Sequence, residues 1–187
     1  MALTKEQYEY IEESILDTFE AAGINCFPIN VFELCHKLKI KLLKYSEYPE
    51  ILIDYTEDAF NFFIPKKQEF IIVYNDAIES ARLNFTIMHE IGHIQLGHAK
   101  SKLTESEKET EADTFAQKAL APIGVIIRLG LKTDVQISSL FKVSLPCARV
   151  ITINLNFILK YPDLRIKEIN NPISALFEES INAYINK

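Results

Sequence analysis

The chain has 187 residues, 48% hydrophobic and 25% charged, with a formal net charge of -6. That length supports one compact unit with a substantial core, and no apolar run reaches the roughly 20 residues of a membrane span. The acidic balance opposes the phosphate contacts that dominate nucleic-acid affinity. Cys26, Cys35 and Cys147 are too far apart for a cysteine zinc site and odd in number, which leaves buried thiols rather than a disulfide framework.

At the start, Thr4 can cap a helix on which Tyr8, Ile11, Ile15 and Phe19 fall on one stripe and which Gly23 can close. No secretory apolar stretch precedes it, so the protein is expected in the cytoplasm. Asn30 can cap a shorter helix carrying Val31, Leu34 and Leu38. Four strand-like stretches follow, Ile40–Tyr45, Ile51–Tyr55, Ala59–Ile64 and Phe70–Tyr74, separated by polar or proline-bearing turns. They predict a small mixed or antiparallel sheet packed on the helix that comes next, and the last of them is expected to offer its edge to an extended peptide.

That next helix contains His89-Glu90-Ile91-Gly92-His93. Four residues apart on a helix, two imidazoles lie one above the other and can reach a single zinc ion. Glu90 stands beside them, placed to take a proton from a water whose pKa zinc lowers to about 7. Around the pentad the helix is apolar on nearly every side, with Phe85, Met88 and Leu96 near the histidines and Ile87, Ile91 and Ile94 opposite. Buried polar groups need partners, and a metal would satisfy all three. Gly97 is a natural left-handed stop.

A catalytic zinc usually takes three protein ligands and leaves one position open. Thr104 to Glu109 holds two overlapping capping-box patterns, which predict a helix from there to about Leu120. Glu111 is the expected third ligand, because it lies where the acidic run gives way to the apolar face of Ala112, Phe115, Ala116 and Ala119. Glu109 is the second candidate, and Asp113 is a candidate acceptor for the outer N–H of a ligand histidine. A solvated acidic face near a helix N-terminus is the plainer reading of the same three residues. After Pro122 the chain reads as short helices broken at Pro162 and Pro172.

Within that tail, Asp134–Leu155 has the outline of a helix-turn-helix, with Ser144 capping a second helix and Pro146 in its first turn. From Leu145 to Leu155 its only cation is Arg149, too few for base or phosphate readout. Two helices packed for stability fit better than a DNA reader. A regulatory or protein-binding module with a structural or inactive zinc site remains the alternative function.

The run Asn84 to His98, followed by Glu111-Ala112-Asp113-Thr114-Phe115-Ala116 and Ala119-Leu120-Ala121-Pro122, resembles the ImmA/IrrE family of bacterial metallopeptidases. The likeness extends more weakly over roughly residues 8–155. It implies a gluzincin-like zinc site with His89, His93 and Glu111 as ligands and Glu90 as general base. Two positions depart from the family pattern: Arg82 is followed by Leu83 and Asn84 where a basic residue often precedes Phe-Thr, and Asp113 replaces a usual Asn. His98, five residues after His93, is not at the metzincin spacing; a place on the rim, or a hydrogen bond to the transition state, suits it, and Tyr74 is a second candidate for that bond.

The expected architecture is therefore α+β: a mainly helical zincin-like domain over 1–125, its small sheet packed on the HExxH helix, and a helical region over 126–187 packed on it. The expected activity is cytoplasmic zinc-dependent endopeptidase action on a protein substrate, with no direct nucleic-acid or membrane partner. The resemblance further implies a link to mobile elements or stress responses, through cleavage of a helix-turn-helix transcriptional repressor.

Overall fold

The computed structural model describes residues 3–48 and 58–186. Helix α1 (Lys5–Ala22) starts at a capping box in which the Thr4 hydroxyl accepts from the Gln7 N–H and the Gln7 side chain bonds back to the Thr4 N–H. Its stripe Ile11, Ile15 and Phe19 is fully buried, each side chain contributing about 1.5–3 kcal/mol of hydrophobic transfer free energy. Helix α2 (Val31–Lys37) is capped by Asn30, whose carboxamide oxygen accepts from the N–H groups of Phe32 and Glu33.

Strands β1 (Lys41–Lys44), β2 (Ala59–Ile64) and β3 (Glu69–Tyr74) form a mixed sheet in the order β1-β3-β2. β1 runs parallel to β3 with Leu42 opposite Ile72, and β2 runs antiparallel to it with Asn61 opposite Ile72. The expected strand over Ile51–Tyr55 lies outside the described residues. Ile40–Tyr45 shortens at its end, because Tyr45–Glu47 tightens into a 3-10 turn. One expectation fails outright. The stretch Phe70–Tyr74 lies in the central strand, its hydrogen bonds taken on both sides, so it has no edge to offer. Among the described strands the outer positions belong to β1 and β2.

Helix α3 (Ser80–Gln95) crosses this sheet, touching β2 and β3, and buries Ile87, Met88 and Ile91. It ends before Gly97, which adopts the left-handed conformation at φ 68° that a side chain would disfavour. A 3-10 turn over His98–Lys100 leads to α4 (Glu105–Leu120), opened by a capping box between Thr104 and Glu107. α4 lies along α3 and forms the most extensive helix contact of the fold. The cause is local: at Gly92 an added Cβ would stand 3.2 Å from the fully buried Phe115, so glycine lets the α4 ring come close.

The tail is helical, as its prolines and caps predict: α5 (Ile123–Arg128), α6 (Asp134–Phe141), α7 (Leu145–Ile158), α8 (Pro162–Ile169), α9 (Pro172–Leu176) and α10 (Glu178–Ile185). It shares the core with the N-terminal helices. Phe177 packs edge-on against Phe19, and Phe27 lies between Phe141 and Phe177. The Asn84 carboxamide donates to the Lys142 carbonyl, tying the α6–α7 turn to the helix of the histidines. Among the described residues no helix is long and apolar enough to cross a membrane.

Candidate metal centre

His89 and His93 sit one turn apart on α3, and their Nε2 atoms approach to 2.9 Å. The carboxylate of Glu109, from α4, faces both: Oε2 lies 3.3 Å from His89 Nε2 and Oε1 lies 3.3 Å from His93 Nε2. One donor atom from each of the three falls within 4.8 Å of the others, a cluster able to hold a metal ion. Asp113, one turn after Glu109, takes the outer nitrogen of His89, with Nδ1 2.9 Å from Oδ1. That bond fixes the His89 ring so that its other nitrogen presents a lone pair to the cluster. Two imidazoles and a carboxylate, with a carboxylate behind one imidazole, are a donor set suited to zinc.

Glu111 is placed elsewhere. It is 3% exposed and points to the far side of α4, where its Oε2 lies 3.0 Å from His98 Nε2 and its Oε1 accepts from the Gln7 carboxamide at 2.7 Å. The apolar face of α4 does draw it inward, but inward leads behind His93 and not into the cluster. His98 likewise departs from a place on the rim: it is 3% exposed, with Nδ1 2.8 Å from His93 Nδ1. Tyr74 is buried too, its ring against Phe32, and it does not line the cleft in front of the cluster.

That cleft has a volume of about 530 Å³. Its walls include His89, Glu90, Glu109 and Asp113 on the side of the cluster and Asp58 and Ala59 at the start of β2. Glu90 is 7% exposed and accepts from the Asn61 carboxamide at 2.7 Å. Arg82 also lines it, its guanidinium paired with Asp58. Of these, Asn61 left the clearest trace in the sequence, as the one polar residue in the strand Ala59–Ile64. The pairing of Asp58 with Arg82 depends on how β2 sits against α3 and left none.

The electrostatics separate the two histidines. Burial pulls the His89 pKa down, but the Asp113 hydrogen bond and the charges of Glu90, Asp113 and Glu109 outweigh it and hold it above the ordinary value. For His93, burial and the neighbouring His89 and His98 bring the pKa down to about 4. A His93 that resists protonation keeps its lone pair available to a cation at neutral pH. His98 is also lowered, by burial in the first place.

The sequence matches the family described as the IrrE N-terminal-like domain over residues 35–149. No match to a curated protein accompanies it. The matched span is more than half of the chain and takes in all of α3 and α4, with the histidine pair, Glu90, Glu109 and Asp113 that build the cluster. The chain therefore belongs to the peptidase family of the IrrE N-terminal-like domain.

Proposed function

We propose that the protein is a zinc-dependent endopeptidase that acts on one protein substrate in the cytoplasm, the 1–125 region carrying the chemistry and the 126–187 helices buttressing it. One observation carries the reading: the Glu109 carboxylate faces both His89 and His93 at 3.3 Å beside a cleft that also holds Glu90. His89, His93 and Glu109 are the residues that would hold zinc. Zinc bound there lowers the pKa of water to about 7 and polarises a substrate carbonyl.

Glu90 is the general base. Its carboxylate takes a proton from the attacking water and delivers it to the leaving amine as the peptide C–N bond breaks. Asn61, donating to Glu90 Oε2, limits the carboxylate's rotation and holds it toward the cleft. An extended peptide can add to the outer edge of β2, which borders the cleft at Asp58 and Ala59, and would thereby pass in front of Glu90. A segment cut in this manner must be able to become extended, as an exposed linker or helix end can.

A structural zinc site in a regulatory module fits less well. Three donors converge among the described residues, the number that leaves a position open, where a closed structural site takes four. Direct DNA binding has little support either, because Arg149 is paired with Asp134 and the outward residues Val150, Ile153 and Phe157 of α7 are apolar. The substrate assigned by this reading is a transcriptional repressor of the helix-turn-helix type, as the family resemblance implies.

The test compares zinc-loaded wild type with Glu90→Gln on candidate repressors and on casein. Wild type should make one discrete cut in a repressor; Glu90→Gln should keep its zinc and lose about 10²–10⁴-fold in rate. Zinc loss in that variant would refute the role of Glu90, and indiscriminate digestion of casein would refute the specificity.

A further inference from the structure

Behind His93, on the side away from the cleft, a chain of hydrogen bonds runs to the first turn of the protein. His93 Nδ1 lies 2.8 Å from His98 Nδ1, His98 Nε2 lies 3.0 Å from Glu111 Oε2, and Glu111 Oε1 accepts from Gln7 Nε2 at 2.7 Å. Gln7 Oε1 in turn accepts from the Thr4 N–H at 2.9 Å, so the capping box of α1 fixes which end of the carboxamide faces Glu111. The His98 and Glu111 side chains are each 4% exposed, which leaves little room for water to substitute for a missing partner.

The directions of these bonds are determined one by one. A carboxylate only accepts, so the nitrogen of His98 that faces it, Nε2, must carry the proton. In the neutral ring Nδ1 is then an acceptor, and the His93 nitrogen facing it must donate. With Nδ1 protonated, His93 has its lone pair on Nε2, the atom turned toward Glu109 and His89. The reverse arrangement would set a lone pair against the Glu111 carboxylate and put a proton where a cation has to bind.

We infer that Glu111 and His98 are positioning residues that set the tautomer and ring orientation of His93, with Gln7 anchoring the far end of the relay. The inference rests on the reading of His89, His93 and Glu109 as a metal site, but it concerns residues that do not touch the metal. It also gives α1 a part in the centre, although Gln7 lies before the family-matched span 35–149. The two ligand histidines are thus oriented from opposite sides, His89 by Asp113 at the cleft and His93 by a buried relay.

Two measurements test this. In the zinc-loaded protein, where the cation takes up the lone pairs that His89 and His93 turn toward each other, imidazole nitrogen shifts from long-range proton–nitrogen NMR should show His98 protonated at Nε2, and Glu111→Gln should give a mixture of tautomers at His98. A His98 protonated at Nδ1 in wild type overturns the inference without bearing on whether the protein is a peptidase. Zinc affinity, by competition with a chromophoric chelator, should fall about 10–100-fold in His98→Leu. His98→Gln should restore it to within about 3-fold, since its oxygen can accept from His93 and its amide can donate to Glu111. Folding of each variant is checked by the thermal melt of the metal-free protein. If His98→Leu unfolds, Glu111→Gln carries the test alone, and a His98 that stays wholly protonated at Nε2 in that variant overturns the inference. Unchanged zinc affinity in a folded His98→Leu overturns the relay alone, whereas a wild type that takes up no zinc overturns the metal site on which it rests.

Discussion

Glu109 and Glu111 are two residues apart on α4 and share a side chain, yet they have opposite surroundings. Glu109 is more than half exposed at the cleft and faces two imidazole nitrogens, while Glu111 is buried between His98 and Gln7. At about 100° per residue, two positions amount to a turn of roughly 200° around the helix axis. The carboxylate that faces the histidines and its partner four residues on, Asp113, fall on one side; the one between them falls on the other. Burial is thus a poor guide to which acid meets a cation here. The acid that joins the histidine cluster keeps solvent access, and the buried acid lies behind His93.

The largest effect should come from exchanging the roles of this pair. Glu109→Ala removes a donor from the cluster and should abolish stoichiometric zinc, measured by atomic absorption after gel filtration, with little change in the melt of the metal-free protein. Glu111→Ala should do the converse, leaving the His98 and Gln7 donors without their acceptor at a cost of about 1–3 kcal/mol in stability, while zinc still binds when supplied in excess. Zinc lost from Glu111→Ala and retained in Glu109→Ala would reverse the assignment. A smaller effect is expected from Asp113→Ala, which removes the partner of His89 Nδ1 but no ligand. Its zinc affinity should fall about 10–100-fold while stability stays near wild type, because the side chain is half exposed. An Asp113→Ala protein with unaltered zinc affinity would mean that the cleft side of the pair does not orient His89.

Much of this arrangement is legible in the sequence. The stripe Ile11, Ile15 and Phe19, the caps at Thr4, Asn30, Thr104 and Ser144, and the stop at Gly97 depend on residues within a few positions of one another, so spacing reveals them. The pair His89 and His93 is of the same kind, since a helix alone sets their separation. The rotation of α4 about its axis is different, because it depends on where Phe115 meets Gly92. The apolar run Ala112, Phe115, Ala116 and Ala119 marks the buried side correctly, but cannot tell that the cleft opens on the other side, at Glu109 and Asp113. Strand order was hidden for a similar reason. β3 reads as an ordinary apolar strand, and only its pairing with both β1 and β2 shows that it cannot receive a peptide.

The smallest expected effect concerns the contact that brings the two helices together and so gives Glu109 and Glu111 their different neighbours. At Gly92 a Cβ would stand 3.2 Å from three atoms of Phe115, closer than a comfortable contact, and Phe115 is fully buried with no open side to move toward. Gly92→Ala should therefore destabilise the metal-free protein by about 1–3 kcal/mol, the usual cost of forcing extra volume into a packed core. The gain in helix propensity from glycine to alanine, about 1 kcal/mol, offsets part of that. Zinc affinity should fall with it, because any separation of α4 from α3 draws Glu109 away from His89 and His93. Phe115→Leu makes room at the same point, so the double variant should lose less stability than the sum of the two single ones, a coupling that urea unfolding can resolve. Strict additivity would show that the helices do not set their distance at Gly92, and that some other contact turns Glu109 to the cleft and Glu111 to the core.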